Sequence, residues 1–408
     1  MKRLTSKRWV WGSAFAVLVG LAALALVLRF HVPKNVIIPK TQAIEFVRDL
    51  KIGWNLGGAL DACLPDVYGL DTETCWEEPR TSPEMLQLVK EAGYPTVRIP
   101  VTWGNHMGPG PEYTVEPAWM DRVQEVVDYA YDIGLYVILN THNEDRTWHI
   151  PDRGHEEAVS AQMAALWAQV AERFMDYDER LLFESMNEPR VPGSLLEWAG
   201  GTFSNRRILN RLNDEFVRLV RASGGNNAGR YLVIPTHAAS RDWTARKGMK
   251  IPDDGRVIVS VHAYFPRGFS GTNFDAGTWG SKSDYRNLER TLYGIYFDFV
   301  RRGVPVLLGE FGAVNKHNLD DRLAYTDFYV RTARKFGMTC CWWDGGKLDG
   351  EEKDGYYYGL LDRRELRWGF PELVEVMVRA AGNTTTALRC GTRNTASGTQ
   401  KRWGRGGT

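Results

Sequence analysis

Charge of one sign is what this chain has least of: 51 Lys and Arg stand against 50 Asp and Glu, a formal net charge of +1. A nucleic-acid binder carries a clustered basic excess, so no nucleic-acid partner is expected, and a neutral polymer is as admissible a ligand as a charged one. No Gly-x-Gly-x-x-Gly follows the first strand-like run, which weighs against a dinucleotide fold. No group of Cys and His has zinc-ligand spacing; His142, Asp145 and His149 share a loop-like stretch but match no ligand pattern. No cofactor and no metal are therefore expected. With 43% hydrophobic and 25% charged residues, the composition is that of a globular protein, not of a disordered or fibrous one.

Cysteine is also scarce, at five residues. Cys63 and Cys75 flank a loop-like stretch rich in Asp, Gly and Thr, placed for a disulfide in an oxidising compartment. Cys340 and Cys341 sit in an apolar run and are expected to be buried.

One long run lacks charge altogether. Lys2, Arg3, Lys7 and Arg8 precede an uncharged stretch from Trp9 to Leu28. A basic flank followed by an apolar run marks a targeting segment, and about 20 apolar residues can span a bilayer. Residues 1–30 are thus expected to form an apolar helix, either a signal-anchor or a signal peptide, that engages the membrane. In both cases the rest of the chain is extracytoplasmic, because the basic flank stays inside. Residues 31–44, with Pro33 and Pro39, read as a linker. Residues 45–381 read as one domain, and residues 382–408 as a polar, Gly/Thr-rich tail without periodicity, expected to be disordered.

Within the domain, eight short apolar runs have the length and composition of buried strands: Lys51 to Leu56, Thr96 to Pro100, Tyr136 to Asn140, Leu181 to Glu184, Tyr231 to Pro235, Val257 to His262, Val304 to Gly309 and Met338 to Trp343. Amphipathic stretches separate them. Met163, Leu166, Trp167, Val170 and Phe174 recur at helical spacing across Ala158 to Phe174, and Ser82-Pro83 opens a helix that runs to Glu91. Eight strands alternating with helices predict an α/β fold, a (β/α)8 TIM barrel, over an open doubly wound sheet.

A barrel of this kind places its chemistry at the carboxyl ends of its strands. There the apolar runs end in polar groups: Arg98, then His142, then Asn187-Glu188-Pro189, then His262 and Tyr264, then Glu310, then Trp343-Asp344. Glu188 and Glu310 end the fourth and seventh strands and so face each other across the barrel mouth. Hydrolysis of a glycosidic bond needs two such carboxyl groups, about 5–5.5 Å apart when one attacks the anomeric carbon directly. The other must stay protonated, and a neighbouring carboxylate would raise its pKa for that purpose. Arg98 and Tyr264 are placed to hold Glu310 ionised, and Asn187 to bond a sugar 2-hydroxyl. Fifteen Trp and seventeen Tyr include flat rings suited to a pyranose face; Trp54, Trp103, Trp148 and Trp279 are candidates beside Trp343.

At these residues the chain resembles glycoside hydrolase family 5, and within it the bacterial endo-β-1,4-glucanases. The segments that carry the resemblance are Ile52-Gly53-Trp54-Asn55-Leu56-Gly57, Val97-Arg98-Ile99-Pro100, Leu139-Asn140-Thr141-His142, Phe183-Glu184-Ser185-Met186-Asn187-Glu188-Pro189, Val261-His262-Ala263-Tyr264 and Leu308-Gly309-Glu310-Phe311-Gly312, followed by Trp343-Asp344 and Tyr358-Gly359-Leu360-Leu361-Asp362. The resemblance implies a retaining, endo-acting enzyme that cleaves β-1,4-glucosidic bonds of cellulose-like, mixed-linkage or xyloglucan chains, monomeric and without cofactor. It implies that Glu188 is the acid/base and Glu310 the nucleophile. Arg98, His142, Asn187, His262, Tyr264 and Trp343 are carried over as supporting or substrate-binding residues. Gly58, Asn143 and Gly345 depart from the cellulase-like pattern near the cleft and bear on substrate preference. A β-1,4-mannanase on the same scaffold, or a tethered glycan-binding protein without activity, are the alternatives.

Overall fold

All eight apolar runs become strands, and they close into one parallel barrel in chain order. The structure is a computed structural model that describes residues 32–144, 148, 150–271, 277–350 and 355–384. The apolar segment 1–30, Asp145, His149 and the tail from residue 385 lie outside the described residues. Among the described residues no helix is long and apolar enough to cross a membrane.

Helix α1 (Gln42–Asp49) comes first, starting inside the stretch read as a linker. Then β1 (Ile52–Leu56), α2 (Pro83–Glu91), β2 (Thr96–Ile99), α3 (Pro117–Tyr131), β3 (Tyr136–Asn140), α4 (Glu156–Arg173) and β4 (Leu181–Glu184) alternate. The second half continues with α5 (Phe203–Ala222), β5 (Leu232–Ser240), α6 (Trp243–Gly248), β6 (Val257–His262), α7 (Lys282–Asp298), β7 (Val306–Phe311), α8 (Leu319–Lys335), β8 (Thr339–Asp344) and α9 (Pro371–Ala380). Three ends differ from expectation. Strand β5 continues past Pro235 to Ser240 through a register shift, with Ala238 and Ala239 at positive φ. Strand β7 begins only at Val306, since Pro305 has no N–H for the ladder. Ser82 sits at the N-cap of α2 without a side-chain capping bond.

Side chains alternate across each strand, which divides the apolar residues between two cores. Outward residues such as Val137, Leu139, Leu181 and Phe183 join the ring of helices in one large cluster. Inward residues Ile138, Leu182, Val233, Ile258, Leu307 and Cys341 form a second. Helix α1 closes that inner cluster with Ala43, Phe46 and Val47, and Phe46 stacks on Tyr231 at 3.7 Å between ring centroids. Cys340 and Cys341 are buried as expected, whereas Cys63 and Cys75 are free thiols, not a disulfide.

Candidate active site

Above the inner apolar cluster the same inward faces turn polar. Asn55 of β1, Arg98 of β2, Asn140 of β3 and Glu184 of β4 are all fully buried. A buried guanidinium is tolerated only when its hydrogen bonds are met, and here Arg98 is the hub. Its Nε donates to Glu184 Oε2 at 2.6 Å, Nη1 to Asn55 Oδ1 and to Glu310 Oε1, both at 2.9 Å, and Nη2 to Asn187 Oδ1 at 2.8 Å. Burial works against the charge of Arg98, but the carboxylates of Glu184 and Glu310 more than offset it and its pKa lies above the ordinary value. Because Asn187 Oδ1 accepts from Arg98, its Nδ2 hydrogens are left for another acceptor.

Glu310 reaches the interior through a bulge. Leu308 and Phe311 both pack outward into the helix ring although they are three apart, and the β7–β8 register shifts between them. The extra residue turns Glu310 inward, in register with His262 of β6. Gly309 makes room for this: a Cβ there would lie 3.0 Å from His262 Nε2. Both Glu310 oxygens then have donors, Arg98 on Oε1 and the Tyr264 hydroxyl on Oε2 at 3.0 Å. Burial and the facing Glu310 push the Tyr264 pKa far up, so Tyr264 remains a donor.

Glu188, four residues past β4, approaches from the opposite wall. His262 Nδ1 lies 2.8 Å from Glu188 Oε1 and 3.6 Å from Glu310 Oε2. One oxygen of each carboxylate and one ring nitrogen of His262 all fall within 4.8 Å of one another. Burial lowers the affinity of His262 for a proton, but the Glu310 and Glu188 carboxylates outweigh it and its pKa is raised. For Glu188, burial raises the pKa and the His262 hydrogen bond overturns that, so it ends below the ordinary value. The expected rise of the Glu188 pKa from a neighbouring carboxylate is thus outweighed by the His262 contact.

At the rim, the Trp343 ring is half-buried and parallel to His142, 5.4 Å away with 9° between planes. Burial, reinforced by the nearby Arg98, holds the His142 pKa well below 6.5 and the ring neutral. Asn140 Nδ2 faces His142 Nδ1 at 3.3 Å, which leaves the imidazole proton on Nε2. Three of the four other aromatic candidates are not platforms. Trp54, Trp103 and Trp279 are core residues, with the Trp54 indole tied to Asp344 Oδ2 at 2.9 Å. Trp148 donates to Glu144 Oε2 at 2.6 Å.

Sequence reading passed over three parts of the site. Glu184 is the second partner of Arg98, marked only by a charge ending an apolar run. Arg190, two residues beyond Glu188, donates from Nη1 to the Glu188 carbonyl at 3.0 Å and from Nε to Glu197 at 2.9 Å. Asp344 fixes the loop after β8, accepting from the backbone N–H groups of Leu360 and Leu361 at 3.0 and 3.1 Å.

Among the described residues, Glu188, His262 and Glu310 are the group whose atoms come close enough to ligate an ion. A cation there would face the Arg98 guanidinium, which already bonds Glu310, and would have to displace the Tyr264 hydroxyl.

Residues 65–349 match the cellulase family, glycosyl hydrolase family 5. Cellulase/esterase CelE of Acetivibrio thermocellus is 45% identical over 341 residues, which is 83% of this chain and 40% of that protein. This chain therefore spans less than half the length of that relative. A GH5-4 broad specificity endoglucanase from Clostridium acetobutylicum superposes with a TM-score of 0.78 at 44% identity, covering 82% of this chain and 99% of that one. A family 5 lichenase from Caldicellulosiruptor sp. F32, in complex with cellotetraose, gives a TM-score of 0.81 at 38% identity over 86% of this chain and 98% of its own.

Proposed function

The chain belongs to glycosyl hydrolase family 5, and from that premise we propose that it is an endo-acting, retaining β-1,4-glucanase with Glu310 as nucleophile and Glu188 as acid/base. The observation that carries this reading is the carboxylate separation. Oxygens of Glu188 and Glu310 within 4.8 Å leave no room for the water that an inverting enzyme holds between carboxyl groups about 6.5–9.5 Å apart.

In the first step Glu310 Oε attacks the anomeric carbon and the bond to the leaving oxygen breaks, that oxygen taking a proton from Glu188. Arg98 and Tyr264 donate to the two oxygens of Glu310 and aim it. His262 and Glu188 share one proton across 2.8 Å; when a glycosidic oxygen replaces water at Glu188, the proton moves from His262 Nδ1 to Glu188 and on to the leaving group. In the second step water attacks the glycosyl-enzyme, gives its proton to Glu188 and frees Glu310, so the configuration is inverted twice and retained. Asn187 Nδ2, freed by the lock of its Oδ1 on Arg98, donates to the 2-hydroxyl, a bond that strengthens in the transition state. Trp343 covers the apolar face of the sugar beside the cleavage point, and His142 borders it as a neutral ring. The basic-then-apolar start of the chain supports action outside the cytoplasm, secreted or membrane-tethered.

The test is release of reducing sugar by the full chain from barley β-glucan, carboxymethylcellulose, xyloglucan and glucomannan, with Glu188→Gln and Glu310→Gln alongside. Release from one or more glucans is expected, falling by about four orders of magnitude or more in Glu310→Gln. Release from the mannan-containing polymer alone would move the assignment to a mannanase, and none from any polymer by folded protein would end the catalytic reading.

A further inference from the structure

The loops after β1 and β8 meet backbone against backbone at the mouth of the barrel. A Cβ at Gly58, whose φ is +72°, would lie 2.9 Å from the carbonyl oxygen of Gly345. One at Gly346 would lie 2.2 Å from the carboxyl carbon of Glu78. The volume that a side chain at Gly346 would take is thus filled by that of Glu78, from the loop between β1 and α2, which also touches the space beside Gly58. It stands beside the proposed sugar platform, since Gly57 packs on the Trp343 ring, where a Cβ would come within 2.6 Å of the six-membered ring.

A second observation points to the same place. Arg363 lies behind Glu78 and is 3% exposed. Its Nη2 is held by the carbonyls of Gly57 and Asp344 at 2.7 and 2.9 Å. Its Nε and Nη1 are buried with no hydrogen-bond partner, and Nε stops 4.0 Å short of Glu78 Oε2. Two open donors on a buried cation are costly, and they face a carboxylate that has not closed on them. Burial raises the Glu78 pKa, Arg363, Arg364 and Lys347 oppose it and Asp344 reinforces it. The Glu78 side chain keeps 13% of its surface exposed, and its ion pair with Arg363 is long, at 4.0 Å.

In the closed order of eight strands, β8 and β1 are neighbours and stand across the barrel from β4. The proposed nucleophile is on β7, beside β8, so this wall receives the glycone that stays attached to Glu310. We propose that Glu78 is a substrate-contacting residue on the glycone side, its carboxylate accepting hydrogen bonds from pyranose hydroxyls. Its charge favours neutral glucan chains over chains that carry carboxylates. This rests on the glucanase reading above.

The experiment measures kcat/KM of the full chain, Glu78→Gln and Glu78→Ala on barley β-glucan and on carboxymethylcellulose, with thermal unfolding of each. Glu78→Gln is expected to raise the carboxymethylcellulose-to-β-glucan ratio about threefold or more by removing a like charge. Glu78→Ala is expected to lower kcat/KM on β-glucan about tenfold by removing the acceptor. An unchanged ratio in a folded Glu78→Gln, with equal losses on both polymers in Glu78→Ala, would overturn the proposal and leave Glu78 as a brace for Arg363. Should the parent cleave neither polymer, the glucanase reading fails first and takes this assignment with it.

Discussion

The lower half of the barrel interior is filled by Ile138, Leu182, Val233, Ile258, Leu307 and Cys341, closed beneath by Phe46 and Val47 of α1. On the same inward faces of the same strands, Asn140 and Glu184 stand one pleat higher and His262 two, joined by Asn55, Arg98 and Glu310. The lower half is held by volume: any apolar residue of the right size fits, and losing one leaves a cavity. The upper half is held by mutual satisfaction, each charge tolerated because another meets it. The lower half therefore yields gradually under substitution, whereas the upper half fails as a unit and takes chemistry with it.

The sharpest way to break this contrast is Arg98→Met. It strips Glu184, Glu310, Asn55 and Asn187 of their common donor. Urea unfolding should show a loss of about 3–5 kcal/mol, the cost of leaving buried charges unpaired, and kcat/KM should fall at least about 100-fold as Glu310 loses its aim. A variant with full activity would show that the polar half is not a unit.

Leu182→Ala in the lower half should lose a comparable amount of stability, about 2–5 kcal/mol. Its kcat/KM per folded molecule should stay within about twofold of the parent, in polymer assays below its melting temperature. A large catalytic loss there would mean that lower packing sets the geometry above it.

The halves should also differ in their response to pH. The folded pKa of His262 is raised above its ordinary 6.5, so its contribution is complete below that value and is lost as pH rises through the folded one. The folded pKa of Glu188 is lowered from 4.5, so its contribution is present above that value and lost as pH falls through the folded one. The pair should stabilise most between those two ordinary values, and His262→Asn should flatten both limbs in unfolding titrations. Leu182→Ala should shift the whole curve down without changing its shape.

The smallest effect expected is that of a chelator. Dialysis against EDTA should leave polymer hydrolysis and melting temperature unchanged, because Arg98 and Tyr264 already occupy both oxygens of Glu310. A loss restored by a divalent cation would place an ion among Glu188, His262 and Glu310.

Much of this was legible beforehand because strand-forming runs are local. Tyr136–Asn140, Leu181–Glu184 and Val257–His262 form strands at the expected bounds, each being a β-rich run bounded by polar residues. Glu188, Glu310, Arg98, His262 and Tyr264 converge because barrel order brings strand ends together. Three of the four additional Trp candidates, Trp54, Trp103 and Trp279, were misjudged, since a sequence shows that an indole is flat but not whether it faces sugar or core. The direction of the Glu188 pKa shift was misjudged for a similar reason: it depends on His262 lying 2.8 Å from Glu188, a distance set by fold.

By itself the sequence determined the eight-strand count, the placing of polar groups at strand ends and the two carboxylates, since these follow from local composition and period. Only the tertiary structure decided that a bulge between Leu308 and Phe311 turns Glu310 inward, since simple alternation from Leu307 would point it at the helices. It also decided that Arg98 is shared by two carboxylates, and that Glu78 fills the gap left by Gly346. Each of these depends on which residues meet from distant parts of the chain, and local propensity carries no record of such meetings.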